Sequence, residues 1–225
     1  MADALLLALF APVGTLRMPS IFGDGMVLQT NKNSGLRSFL WGWSDAANTT
    51  VGIDAPGGPY TVSPDEATGR WEVQLSPEMR NSAVYTISVW ETIIPSQKIV
   101  AHNVKYGDVY LCVGGPTMAA PLGANAEHAA DLATLRYFDA SAGSGPWRDG
   151  SNASDRGFWT SVASSLCVQS LLTAGTDATM PKALIVAASS TAASVVEWAP
   201  FSVLERCGAA GAQRGAALYN ASLAP

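Results

Sequence analysis

Hydrophobic and polar positions form two kinds of pattern along the chain, and the change between them falls near residue 105. Between residues 20 and 104, short apolar or β-branched runs recur about every ten residues, with turn formers between them. These runs predict strands at residues 39–43, 50–53, 60–62, 71–75, 85–90 and 98–101. Because no helical period accompanies them, they favour an antiparallel β-sandwich.

After residue 105, apolar runs alternate with helical spacing. Residues 109–113, 135–138 and 184–188 predict buried strands, and residues 124–135 and 158–174 predict helices. Strands that alternate with helices indicate an α/β layer. The sequence therefore predicts a β + α/β fold, with a β-sandwich domain at 18–104 and a partial, flavodoxin-like α/β domain at 105–225. Three parallel strands would leave a sheet edge uncovered, which suggests self-association through that edge.

The N-terminal run at residues 5–13 is apolar but too short to cross a bilayer. It suits the core of a signal segment at 1–17, although no positive charge precedes it, and a buried first strand is the alternative. Glycosylation sequons begin at Asn48, Asn152 and Asn220, and they predict a glycoprotein of the secretory or lysosomal route. A cytoplasmic location remains the alternative.

Composition narrows the classes of partner. The net charge is −5 and no run of Lys or Arg is present, so nucleic acid is not expected as a partner. Cys112, Cys167 and Cys207 match no zinc or redox spacing. They are either buried thiols or one disulfide with a free cysteine. We expect no metal, no cofactor and no transmembrane segment.

The strand at 109–113 ends in Gly114, Gly115 and Pro116, a strand-to-turn pattern that suits a reaction site. Residues 107–112, Gly-Asp-Val-Tyr-Leu-Cys, resemble the Gly-Asp-Val-Trp-Leu-Cys that leads into the nucleophile turn of the sialate O-acetylesterase family. Residues 18–29 and the Leu-Trp-Gly-Trp at 40–43 are similar to two further family motifs, and residues 184–208 and 218–221 parallel later ones. The chain thus resembles a truncated, divergent member of this family of SGNH-type hydrolases.

The resemblance implies a hydrolase of carbohydrate metabolism that removes acetyl groups from O-acetylated sialic acids or related acetylated sugars. It also implies that this chain is catalytically impaired, a pseudoenzyme, because Pro116 stands at the position of the nucleophilic serine. The family's Asp and His motif has no counterpart before residue 225. The corresponding oxyanion turn is degenerate and falls on Gly114, Ala192 and Ala193.

Ser189 and Ser190 follow an apolar strand and are the possible substitute nucleophiles. The two histidines, His102 and His128, are more typical of surface residues than of a catalytic base. The alternative function is a non-catalytic carbohydrate-binding or interaction protein. That function would use the tryptophans of the N-terminal half, which are Trp41, Trp43, Trp71 and Trp90. At strand positions tryptophans more often belong to the core.

Overall fold

The computed structural model describes residues 16–30, 35, 37–46, 49–77, 81–114, 135–140, 145–150 and 181–188. These residues form the strands β1 (Val27–Gln29), β2 (Phe39–Trp43), β3 (Val51–Asp54), β4 (Tyr60–Val62), β5 (Arg70–Gln74), β6 (Asn81–Glu91), β7 (Lys98–Gly114), β8 (Leu135–Asp139), β9 (Arg148–Asp149) and β10 (Lys182–Ala188).

Most strands belong to one mixed sheet. Its order is β4-β3-β6-β7-β10-β8-β9, and β1 pairs with β7 outside this path. The pairings among β3, β4, β6 and the first part of β7 are antiparallel, whereas β1 and β10 run parallel to β7, and β8 runs parallel to β10. β2 and β5 form a separate antiparallel pair.

Strand β7 is 17 residues long and joins the antiparallel and parallel parts of the large sheet. Its pairing with β6 extends from Lys98 to Tyr106, and its pairing with β10 begins at Asp108. Gly107 lies between these two pairings. The same strand therefore serves both parts of the sheet.

The core lies where the N-terminal segment, the β2–β5 pair and the antiparallel strands meet. Its largest fully buried side chains include Trp71, Tyr106, Met26, Leu40 and Ile53. A buried hydrogen bond of 2.6 Å, donated by the Ser44 hydroxyl to Glu91 Oε1, joins the end of β2 to β6.

The predicted fold class, a β-sandwich followed by an α/β domain, is wrong. Of the described residues, 55% are in strands and 1% are in a helix, and the strands form one large mixed sheet and the separate β2–β5 pair instead of a sandwich and an α/β layer. Alternating hydrophobicity identifies strands but not their partners, and β7 takes partners from both sides of residue 105. The predicted helices lie outside the described residues, apart from residue 135, which begins β8. The division into domains at 104 and 105 stays a prediction.

Candidate active site

The carboxyl ends of the parallel strands meet at one edge of the sheet. Gly114, at the end of β7, pairs in register with Ala188, at the end of β10. Asp139, at the end of β8, pairs with Val186 on the other side of β10. Ligands of α/β sheets bind outside the carboxyl ends of parallel strands. This edge is therefore the candidate active site.

Of the site residues predicted from sequence, Gly114 is within a described strand. Its pairing with Ala188 brings the ends of two motif-bearing strands together, because Pro116 follows Gly114 by two positions and Ser189 follows Ala188 directly. The remaining predicted site residues lie outside the described residues, and their roles stay predictions: Pro116, Ser189, Ser190, Ala192, Ala193, His128 and the sequon residues Asn48, Asn152 and Asn220.

His102 is exposed on the first part of β7, 12 positions before Gly114. At about 3.3 Å per residue, the two residues are separated by roughly 40 Å. The backbone N–H of His102 donates a 2.7 Å hydrogen bond to Asp24 Oδ1. His102 is therefore too far from the carboxyl edge to act there as a base.

Strand β8 contributes polar side chains near the carboxyl edge that sequence reasoning missed. Tyr137 is buried, and this burial is the main reason that the pKa of its hydroxyl is raised to about 12. The negative charge of Asp139 raises the pKa further, and the positive charge of Arg148 opposes the shift. The phenol therefore stays protonated at neutral pH. The signal for Asp139 was available in the sequence, because a carboxylate directly after an apolar strand is typical of this kind of edge.

At the opposite end of β8, Arg136 fixes the N-terminal segment onto the sheet. The side chain is only 5% exposed. Its Nη1 donates to the Gly25 carbonyl at 3.1 Å, and its Nη2 donates to Asn103 Oδ1 at 3.3 Å and forms an ion pair with Asp149 Oδ2 at 3.2 Å. The motif at residues 18–29 is thus in direct contact with β8.

The backbone around Arg136 is shaped for this contact. Gly25 has φ of +81°, and a Cβ placed there would lie 2.7 Å from Arg136 Nη1. Glycine adopts this positive φ without strain, and it leaves room for the guanidinium. Asn103 has φ of +56°. Nearby, burial lowers the pKa of Lys105; the charge of Arg136 lowers it further, and Asp149 opposes the shift.

Gly107 allows β7 to change partners. Its carbonyl accepts a 3.2 Å hydrogen bond from Thr30, beside β1. On the next residue, the Asp108 N–H donates a 3.2 Å hydrogen bond to the Pro181 carbonyl, where β10 begins. A Cβ at Gly107 would collide with that carbonyl oxygen. The glycine at the start of the 107–112 motif is therefore a close-approach position that brings β10 beside β7.

Cys112 lies near the end of β7, is 8% exposed and is disulfide-bonded. The other two cysteines of the chain, Cys167 and Cys207, lie outside the described residues. The sequence left open either buried thiols or one disulfide with a free cysteine, and the structure has Cys112 in a disulfide.

Of the four tryptophans of the N-terminal half, Trp71 is buried, whereas Trp41, Trp43 and Trp90 are half-buried. Trp71 is 1% exposed and belongs to the core. The Trp41 ring packs edge-on against Phe22 at a centroid distance of 4.5 Å, and Lys98 Nζ lies 4.7 Å from the centre of the Trp90 ring. These contacts give no support to the carbohydrate-binding alternative.

A metal-binding cluster and a membrane-spanning helix are both absent from the described residues. No group of three or more His, Cys, Asp and Glu side chains there is arranged to hold a metal ion. No helix in the described part of the chain is both long and apolar enough to cross a membrane.

Comparison with known proteins gives a structural match. A carbohydrate acetylesterase from Xanthomonas citri superposes with a TM-score of 0.65 at 21% identity, over 85% of this chain and 44% of the esterase. The chain thus spans less than half the length of that protein. At this identity, the similarity establishes the fold alone.

A second solved structure, described as an IG27 protein domain, aligns with a TM-score of 0.28 at 15% identity, over 41% of this chain and 96% of that one. This score is too low to support an argument about the fold. No protein-family model and no curated protein matches the sequence.

Proposed function

We propose that this chain is a catalytically impaired relative of carbohydrate acetylesterases, of the sialate O-acetylesterase type. Its scaffold suits the hydrolysis of acetyl esters on O-acetylated sugars. The observation that carries the proposal is the register between Gly114 and Ala188, which places the ends of two motif-bearing strands side by side. The fold similarity to the Xanthomonas citri enzyme supports the same reaction class.

The proposed impairment follows from the chemistry at residue 116. Serine hydrolysis needs a hydroxyl that attacks the carbonyl, an imidazole that accepts its proton, and N–H groups that stabilise the oxyanion. Proline has neither a hydroxyl nor a backbone N–H, so Pro116 lacks two of these parts. Loss of the nucleophile alone lowers kcat by orders of magnitude.

We expect the purified chain to hydrolyse p-nitrophenyl acetate no faster than the same chain after heat denaturation, because it lacks the nucleophile. A fluorophosphonate probe should label no serine. A thermal melt run in parallel establishes that the sample is folded. Turnover together with labelling of the folded chain would contradict the impairment.

If the folded chain shows turnover and labelling, the variants Ser189→Ala and Ser190→Ala identify which serine is responsible. If either variant abolished both turnover and labelling, the chain would be an active esterase with a substitute nucleophile in the segment that follows β10. If a folded chain stayed active in both variants, the proposed site at the carboxyl edge would itself be wrong.

We also propose that the protein follows the secretory route. The disulfide at Cys112 supports this proposal, because disulfides persist in oxidising compartments, and the three sequons agree with it. Expressed in a eukaryotic secretory host, the chain should lose mass on treatment with an N-glycosidase. It should also migrate differently on reducing and non-reducing gels. A chain that shows neither change would contradict the proposal.

A further inference from the structure

An apolar groove lies between the N-terminal segment, β2 and the parallel strands. Its volume is about 260 Å³, and its walls include Phe22, Phe39, Trp41, Val109, Trp147 and Ile185. Val109 precedes Gly114 by five positions and Ile185 precedes Ala188 by three, so these wall residues lie roughly 10–16 Å along their strands from the carboxyl edge. The groove is therefore separate from the candidate active site.

We propose that this groove binds a small carboxylate with an apolar body, such as a medium-chain fatty acid. The volume of about 260 Å³ lies just below the usual range for ligand pockets, roughly 300–1,000 Å³, and suits a small molecule. The aromatic and aliphatic walls favour hydrocarbon, because burial of apolar surface is the main driving force available there.

The polar groups of the groove argue against a sugar as its ligand. The Ser38 hydroxyl donates to the Gln29 carbonyl, and Gln29 Oε1 accepts the Val109 N–H. Both groups are therefore engaged within the protein. A sugar would bury several hydroxyls among apolar walls without partners, which carries a free-energy penalty for each hydroxyl.

One charged donor, Arg37, lies on the wall of the groove and suits an anionic oxygen. Arg37 lines the groove, is exposed, and forms no ion pair with any described residue. A carboxylate has two oxygens that accept hydrogen bonds, and its charge complements the guanidinium.

Isothermal titration of the full chain with octanoate tests this ligand class. Octanol has the same apolar body without the charge, and gluconate has the charge without the apolar body. We expect saturable octanoate binding that is tighter than that of either control and that weakens as salt is added. No octanoate binding, or octanol binding of equal strength, would overturn the proposal.

Variants establish where the probe binds. Arg37→Gln should weaken octanoate binding about fivefold, as expected for a partly exposed ion pair, and should leave octanol unchanged. Lys98→Gln makes the same charge change outside the groove and should have no effect. Equal effects of these two variants would contradict the site.

One further variant alters the interior of the groove. Ile185→Phe should fill the groove and abolish binding of both octanoate and octanol, and a thermal melt checks that this variant is folded. A folded Ile185→Phe variant with unchanged octanoate binding would overturn the proposal. These measurements do not depend on esterase activity, so either proposal can fail without the other.

Discussion

Replacement of Arg136 by methionine should lower the free energy of unfolding by about 2–3 kcal/mol, because a buried guanidinium that donates two hydrogen bonds is removed, together with its ion pair to Asp149, which is 35% exposed. The substitution would leave Asp149 without this cation, and the Gly25 carbonyl and Asn103 Oδ1 without their donor. Methionine retains most of the side-chain volume, so the loss reports on polar contacts more than on a cavity. Urea denaturation monitored by tryptophan fluorescence measures it.

Arg70→Met provides the matched control for this prediction. Arg70 also pairs with a carboxylate, Glu72 at 2.7 Å, but both side chains are more than a third exposed. An exposed pair contributes about 0–1 kcal/mol, so the control should remain close to the wild type. If the Arg136 and Arg70 variants lost the same stability, Arg136 would not be the fixing contact that we describe.

Replacement of Gly107 by alanine should lower the free energy of unfolding by about 2–3 kcal/mol. The added Cβ would meet the carbonyl oxygen of Pro181, a backbone atom that can withdraw only if β10 shifts away from β7. Hydrogen exchange should therefore accelerate at the paired amides of β7 and β10 more than at those of β3 and β6. Urea denaturation and hydrogen exchange followed by mass spectrometry measure the two effects.

Gly145→Ala is the control for Gly107→Ala. A Cβ at Gly145 would have no atom within 4 Å, so this variant carries the same chemical change without a collision. It should unfold within about 0.5 kcal/mol of the wild type, as do most surface substitutions. Equal stability of the two variants would show that β10 does not depend on close approach at Gly107.

Local sequence pattern predicted several strands well but not their arrangement. Strand β2 was predicted with its observed bounds, 39–43, because alternation of buried and exposed positions is a local property. Strand β7 was predicted as two pieces, 98–101 and 109–113, with the boundary between the predicted domains falling between them. In the structure the strand continues through this boundary, since Asn103 adopts a positive φ within the strand and Gly107 admits a new partner.

The burial of Arg136 and the meeting of strand ends at the candidate site depend on contacts between residues that are distant in the sequence. Arg136 resembles an exposed strand residue when its neighbours alone are considered. Its buried role depends on Gly25, which is 111 positions away, and Asn103, which is 33 positions away. For the candidate site, the strand that ends at Gly114 was predicted, whereas its pairing with Ala188 and the position of Asp139 at the same edge required the structure.

The shared strand β7 also affects how the chain folds during synthesis. Its second half pairs with β10 beginning at Asp108 and Lys182, so 74 more residues must be made after Asp108 before this pairing can start. At about 5–20 residues per second, translation of that stretch takes roughly 4–15 s. Throughout this interval the β7 edge that β10 will cover lacks its partner, and unpaired strand edges promote aggregation. The nascent chain therefore passes through a period of several seconds in which this edge is exposed to other chains.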